Sequence, residues 1–343
     1  MKILILGGNG FMGKNLNKVF ANKQYLIFNK SRNTGCDLTK LSSIKRTLKE
    51  INPNIIINAS AHVGGVGYVS KYAATVCSEN IEMYINLFKA IKEHNKDITL
   101  INPLANCSYP GNTLDILKEK DWWNGSIHSS VESYGSSKKT GFILSECYKK
   151  QYGIKTINLL VPNAYGPFDS LDENKTHALN GIIIRLLKTI KENKKEFTIW
   201  GTGNPIREWI YMEDVARIIK IIVDDDKIIS GDIQIPNPLN LGQKFGFSIK
   251  ESVDMVQNIL GTNFLINNDL SKTEGAPKKI MCNKLFKKYF PNFSFTKPEE
   301  GIKNTIKYYS KIIKLDKTFI KEKKLTHEEY CLKYNINPYL QTK

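Results

Sequence analysis

The chain has 343 residues, 41% apolar and 10% aromatic, and a formal charge of +17. That supports a real core in one large domain or two lobes, while no run approaches the ~20 apolar residues of a membrane span. The lysines are spread out with no nucleic-acid module beside them, and the six cysteines and five histidines show no disulfide or metal-ligand spacing; no nucleic-acid, membrane or metal partner is expected, and the thiols fit a reducing cytoplasm.

The first predicted element organises the rest. Residues 3–6 are an apolar run, followed at once by Gly7, Gly10 and Gly13. The run is too short for an export signal. Leu16, Val19 and Phe20 then share one side of a helix. A strand, a glycine turn and a helix bring backbone N–H groups and the positive helix end to a phosphate. Gly7 permits a tight turn, Gly10 a close approach and Gly13 close packing of helix on strand. A dinucleotide site is expected. Residues 25–28 form the second predicted strand. Dinucleotide folds place an acid after it for the ribose 2′-OH. Here Asn29, Lys30, Ser31 and Arg32 stand there, a basic turn that suits a 2′-phosphate. NADP(H) is therefore expected, with NAD(H) the alternative, and Asp37 falls near an adenine position.

Leu41, Ile44, Leu48 and Ile51 follow a helical period that Asn52-Pro53-Asn54 stops. Ile55–Asn58 reads as a buried strand, residues 72–94 as a helix and residues 98–102 as a strand. This alternation predicts an α/β, Rossmann-type, doubly wound parallel sheet. Tyr134 and Lys138 follow, at the start of a helix reaching about Tyr152. Their i, i+4 spacing puts phenol and ammonium on one face. An ammonium there favours phenolate and lowers the phenol pKa toward neutrality, so Tyr134 can act as acid or base. Residues 155–161 are a strand, 177–191 a helix and 197–200 a short strand; 207–211 are extended, and Asp214 is expected to cap the next helix. Asp224, Asp225 and Asp226 read as a solvated turn. Ser248 and Glu251 form a capping box opening a helix to about Leu260. After Gly261 the sequence reads as loop-rich and basic.

Together these residues resemble an extended short-chain dehydrogenase/reductase, and within it the GDP-L-fucose synthase branch. The carriers are GGNGFMG (7–13), SAHVGGVG (60–67), NCSYP (106–110), YGSSK (134–138), NAYGP (163–167), THAL (176–179), WGTGNPIREWIYMEDVA (200–216) and SKTEGAPKK (271–279). The resemblance implies a dinucleotide domain over 1–165 plus 205–240. A smaller C-terminal α/β substrate-binding lobe takes 166–204 and 241–310. Residues 311–343 remain a Lys-rich tail without a counterpart. It also implies cofactor contacts at Gly7, Gly10, Phe11, Met12, Gly13, Arg32, Asp37, Leu38, Ala59, Ala61, Tyr134 and Lys138.

The implied reaction is NADPH reduction of the C4 carbonyl of a nucleotide-linked 4-keto-6-deoxy sugar or heptose. GDP is the implied nucleotide, C3/C5 epimerisation the implied companion step, and surface polysaccharide synthesis the implied pathway. Tyr134 would give the proton, Lys138 would hold the ribose, and Cys107 and His177 would move the C3 and C5 protons. Asn163, His177, Arg185, Trp200, Arg207, Lys278 and Lys279 would hold the substrate, and a homodimer is typical. One departure stands out. The family usually has Ser or Thr four residues before the tyrosine of its -YP motif, and here that residue is Ala105. Asn106, Ser108 and His62 are the neighbouring donors. An NAD-retaining C4 epimerase stays open as an alternative, as does a cofactor-binding pseudoenzyme given Ala105. A 4,6-dehydratase is disfavoured, because Asn106-Cys107 stand where that chemistry needs Asp-Glu.

Overall fold

A computed structural model describes residues 1–21 and 24–315 of the chain. The N-terminal half alternates strand and helix: β1 (Lys2–Leu6), α1 (Phe11–Val19), β2 (Leu26–Lys30), α2 (Leu41–Ile51), β3 (Ile55–Asn58), α3 (Val66–Lys71), α4 (Ala73–His94), β4 (Thr99–Ala105), α5 (Glu132–Tyr152) and β5 (Thr156–Val161). The C-terminal half adds β6 (Asn163–Tyr165), α6 (Ala178–Lys191), β7 (Glu196–Trp200), β8 (Ile206–Arg207), β9 (Trp209–Tyr211), α7 (Met212–Asp224), α8 (Asp226–Ser230) and β10 (Leu239–Asn240). It ends with β11 (Phe247–Ser248), α9 (Ile249–Leu260), β12 (Leu265–Asp269), β13 (Lys278–Lys279), α10 (Lys284–Tyr289) and α11 (Pro298–Ile313).

Six strands make one parallel sheet in the order β10-β5-β4-β3-β1-β2. Helices cover both faces, so the central strands are mostly apolar. Ile3, Ile5, Ile55 and Ile57 face one core with the apolar side of α7. Leu4, Leu6 and Ile56 face the other, against α2 and α4. The chain steps from β1 outward to β2, then returns to β3 on the far side of β1. That reversal opens a crevice at the strands' carboxyl ends, where a parallel α/β sheet binds its ligand.

A row of buried amides crosses the sheet. Asn58 donates to Asn102 (3.5 Å), Asn102 to Asn158 (2.8 Å), and Asn158 to Ser145 Oγ on α5 (2.9 Å). An unpaired buried amide costs ~1–3 kcal/mol, so the row fixes strand register and the seat of α5 together. α5 carries Tyr134, and the row therefore helps place the site.

A second core gathers apolar residues of α6, β7, β9, α9 and α11 around Tyr165, Trp209 and Tyr211. Several details differ from expectation. α11 lies in the stretch that reads as loop-rich, although Pro298 at its first turn, Glu299 and Glu300 behind it, and the buried Ile302, Ile306 and Tyr309 are ordinary helix signals. Phe286 and Phe290 pack into the core of the parallel sheet rather than into the second lobe. Asp214 is not a cap. α7 starts at Met212, and the buried Asp214 carboxylate accepts from Thr296 N and Oγ1 and pairs with Arg217. Asp225 is not merely solvated, since it caps α8. The Ser248–Glu251 capping box forms as expected. Most of the Lys-rich tail, from 316 on, lies outside the described residues. Among the described residues, no helix is long and apolar enough to cross a membrane.

Candidate active site

The glycine turn closes the carboxyl end of β1. Gly7 has φ +78°, and a Cβ there would meet the Ala59 carbonyl oxygen at 2.7 Å. At Gly13 a Cβ would collide with the Gly7 and Gly8 backbone. Gly10 is the extended N-cap of α1 and carries no side-chain cap, which leaves the first-turn N–H groups of Phe11 and Met12 facing outward for an anion. Asn15 on α1 donates to Pro167 O (3.1 Å) and so ties the turn to the NAYGP loop.

After β2, Ser31 and Thr34 cap each other around a short turn that includes Arg32. The exposed Arg32 guanidinium lies 3.5 Å from both Asp37 and Glu79 carboxylates. Asp37 also accepts from Thr39 N and Oγ1. Leu38 is a core residue, packed with Ile44 and Leu48, so its backbone alone is left for a cofactor. Ala59 and Ala61 are half-buried behind the glycine turn. The cradle, the uncapped helix end and Arg32 fit a dinucleotide with a phosphorylated ribose.

Tyr134 lies in the first turn of α5 with Lys138 one turn on, its ammonium 5.4 Å from the phenol ring centroid. Lys138 is buried and donates to Tyr84 OH (3.0 Å) and Pro103 O (3.4 Å). Tyr84 comes from α4 and can approach because residue 141 is glycine; a Cβ there would meet its ring at 2.6 Å. Burial works against the Lys138 charge, but the Tyr134 and Tyr84 oxygens outweigh it and hold the ammonium protonated. The expected lowering of the Tyr134 pKa does not hold. Burial pushes it up to about 12, against the opposing pull of Lys138. Tyr134 is thus a neutral phenol at working pH, a proton donor rather than a base.

Cys107 sits in a short 3₁₀ turn, Asn106–Ser108, straight after β4. This turn packs on the start of α5, and a Cβ on Gly135 would come to 3.1 Å from Cys107 O. Burial raises the Cys107 thiol to about 11, while Lys279 and Lys138 pull it down.

Across the cleft, His177 stands at the N-cap position of α6 without a side-chain cap bond, and its ring lies 5.2 Å from that of Phe11 in the glycine turn. Its Nδ1 meets Asp169 Oδ2 at 3.0 Å. The same oxygen accepts from His177 N (2.8 Å), Thr176 Oγ1 (3.1 Å) and Asn180 Nδ2 (2.8 Å). Burial disfavours the Asp169 carboxylate, yet His177 and these donors hold its pKa down at about 2. Burial likewise opposes the His177 charge, and Asp169 outweighs it, raising the imidazole pKa.

At the other end of the cleft, β8 and β13 pair in parallel with Arg207 beside Lys279. Burial lowers Arg207 to about 10 against the pull of Glu274. Burial also lowers Lys279 to about 8; Cys107 opposes this, while Arg207 and Lys139 add to it. Two largely desolvated cations side by side suit a diphosphate. The role expected of the lysines changes, however. Lys279 already donates to Tyr109 O and Pro110 O, just beyond the Cys107 turn. Lys278 is in register with Ile206, on the other face of the strand. Arg185 stacks on Trp200 (4.7 Å) and donates to Thr198 O. Trp200 is 45% exposed, so it is not a core residue. Asn163 heads β6 and is half-buried.

A family model described as the NAD dependent epimerase/dehydratase family matches residues 3–235. The chain belongs to that family. GDP-L-colitose synthase of Yersinia pseudotuberculosis is 30% identical over 310 residues, 90% of this chain and 98% of that protein. GDP-L-fucose synthase of Dictyostelium discoideum is 28% identical over 309 residues, 90% and 94% of the two chains. The solved GDP-mannoheptose C4 reductase of Campylobacter jejuni, with NADP bound, has a TM-score of 0.75 at 24% identity, covering 90% of this chain and 98% of that one. This last likeness is one of fold.

For a member of the epimerase/dehydratase family, several residues of the cleft were not legible in the sequence. Asp169 and Tyr84 support His177 and Lys138 through space, with no spacing signal for either. His128 is paired with Ser130 Oγ (2.8 Å), and burial, then Lys279 and Arg207, lower its pKa. Glu208 is buried and accepts from Gln243, Lys244 and Met281 N–H groups; burial raises it to about 8. It braces the strands that carry Arg207 and Lys279. Substituting Arg207 by Met is expected to raise KM for the nucleotide sugar by roughly 10–150-fold with kcat within a few-fold, since a charge-assisted hydrogen bond is worth ~1.5–3 kcal/mol. Initial rates against substrate concentration check this, and an unchanged KM would remove Arg207 from the binding set.

Proposed function

We propose that this protein uses NADPH to reduce the C4 carbonyl of a GDP-linked 4-keto sugar and exchanges the neighbouring C3 and C5 protons in the same cleft. The observation that carries this reading is the Lys138 ammonium 5.4 Å from the centre of the Tyr134 ring, with Cys107 beside them. The relatives' names support a GDP-sugar substrate, and the basic turn at Arg32 supports a 2′-phosphate. NAD retention has less behind it, because the exposed group directly after β2 is the Arg32 guanidinium, with the Asp37 and Glu79 carboxylates behind it.

NADPH, held on the glycine turn and at Arg32, would supply the hydride that C4 takes up. Tyr134 gives its proton to the C4 oxygen as that oxygen becomes an alkoxide. Lys138 keeps a positive charge next to the phenolate that remains. The carbonyl also acidifies the C3 and C5 hydrogens. Cys107, once deprotonated, takes a proton from carbon and leaves an enolate; burial holds the resting thiol protonated, and Lys279 and Lys138 offset only part of it. His177, held as imidazolium by Asp169, returns a proton to the opposite face and inverts the centre.

Incubation with NADPH and GDP-4-keto-6-deoxymannose tests the reading. NADPH absorbance should fall, and in D₂O deuterium should enter at C3 and C5. Stable absorbance with both GDP-4-keto-hexose and GDP-4-keto-heptose would remove it.

A further inference from the structure

A guanidinium that is to hold a phosphate is most useful when nothing else claims it. Arg32 is claimed twice. Its exposed side chain stands between two carboxylates, Nε 3.5 Å from Asp37 Oδ1 and Nη2 3.5 Å from Glu79 Oε2. Neither is a close charge-assisted bond, which runs ~2.7–2.9 Å. Both acids have nearer partners of their own. Asp37 Oδ1 accepts from Thr39 N (3.1 Å) and Oγ1 (2.8 Å). Glu79 Oε2 meets His62 Nδ1 at 2.9 Å. His62 is fixed in turn, with Tyr68 OH 2.8 Å from its Nε2 and Asn80 bonded to its backbone N–H (3.0 Å) and carbonyl (2.8 Å). The carboxylates are anchored, and the guanidinium is the partner that can turn away.

Glu79 reaches Arg32 from α4, on the other side of the cofactor crevice from the glycine turn. Ser31, next to Arg32, accepts from Asn9 Nδ2 of the glycine turn (3.0 Å), which ties the Arg32 turn to the dinucleotide cradle. A phosphate monoester carries roughly two negative charges at neutral pH. A 2′-phosphate must therefore draw the guanidinium from Glu79 and then lie near that carboxylate. A 2′-hydroxyl meets neither cost.

Resting on the cofactor part of the reading above, we propose that Glu79 is a specificity-determining residue that competes with the 2′-phosphate for Arg32 and so loosens NADP(H) without loosening NAD(H). It touches no reacting atom and moves no proton. Its effect passes through the guanidinium.

The test uses the full chain without a sugar substrate, titrated with NADPH and with NADH and followed by nicotinamide fluorescence. Glu79→Gln keeps an oxygen for His62 Nδ1 and loses the charge. It is expected to tighten NADPH about fivefold, with NADH affinity within twofold and the melting temperature unmoved. In an Arg32→Met background the gain should vanish, because the two side chains act as one coupled pair. The inference is overturned if Glu79→Gln leaves NADPH affinity unchanged or weakens it, if NADH tightens equally, or if the gain persists without Arg32. A merely structural Glu79 would weaken both cofactors alike and lower the melting temperature, which also overturns it. Should Glu79→Gln fail to fold, the same criteria apply to Glu79→Ala. If Arg32→Met alone changes neither NADPH nor NADH affinity, the 2′-phosphate reading of Arg32 falls and this inference with it. That result differs from an Arg32-dependent enzyme indifferent to Glu79. Failure of ketone reduction bears on neither, since no ketone is present.

Discussion

Replacing Tyr134 with phenylalanine is expected to lower kcat for ketone reduction by about 10³-fold, inside the ~10²–10⁴ that a positioned proton donor supplies. The ring stays, so NADPH affinity should change little, and the loss should fall on kcat rather than KM. The pH dependence sharpens the expectation. Burial holds the Tyr134 phenol at about 12, and the neighbouring Lys138 ammonium is held protonated as well. Both therefore keep their protons from pH 6 to 9, and neither should impose a titration on kcat for reduction in that range. Measuring kcat of wild type and variant from pH 6 to 9 checks both statements. A variant retaining more than a tenth of wild-type kcat, or a wild-type profile that loses its acid limb only when Tyr134 is removed, would take the proton-donor role away from this phenol.

The parallel sheet was legible because burial on both faces leaves the strands little choice of residue. Ile3 to Leu6 and Ile55 to Ile57 are unbroken apolar runs, and each is followed by a period that only a helix satisfies. The glycine turn was legible for a related reason. At Gly7 and Gly13 no Cβ fits against the Ala59 and Gly7 backbone. The C-terminal half read less well. Apart from β7 and β12, its strands are two or three residues long, too short for a period, and β8 and β9 belong to different sheets although one residue, Glu208, separates them. Nothing in the order of residues says that a buried carboxylate there collects N–H groups from residues 243, 244 and 281.

The candidate site divides along the same line. Tyr134 and Lys138 sit four apart on one helix, so local spacing states their relation. Charge states follow from burial, and burial is a property of the assembled cleft. The ammonium alone argues for a lowered phenol pKa, whereas the desolvated phenol argues for a raised one and prevails. Lys279 makes the same point. A lysine in a basic run reads as a phosphate ligand, yet β13 delivers it to two carbonyls, 169 and 170 residues away in the chain.

The partner of His177 supports the second large effect. Asp169→Asn is expected to slow deuterium exchange at C3 or C5 by about 10²-fold at pH 8, while hydride transfer to a substrate that needs no epimerisation changes only a few-fold. The substitution keeps the geometry at Oδ2 and loses one bond at Oδ1, which accepts from Ser170 N (2.9 Å). His177 N, Thr176 Oγ1 and Asn180 Nδ2 all donate to the single Oδ2 position, so the new side chain must place its carbonyl oxygen there and its amide elsewhere. The His177 Nδ1–H then keeps an acceptor, and its tautomer is preserved. What disappears is the negative charge. Burial disfavours the imidazolium and Asp169 outweighs it; with the charge gone, burial acts alone and the pKa falls below its ordinary value near 6.5. The sign follows directly. Wild-type His177, with a raised pKa, stays protonated further into the alkaline range, and the variant loses its proton at lower pH. The exchange rate of the variant should therefore recover toward pH 6, where the wild type gains little. Chemical shifts of the His177 ring nitrogens against pH report the displaced pKa independently of turnover. An unchanged pH profile for exchange, or an unmoved His177 titration, would mean that Asp169 anchors the start of α6 and leaves the imidazole's charge to other groups.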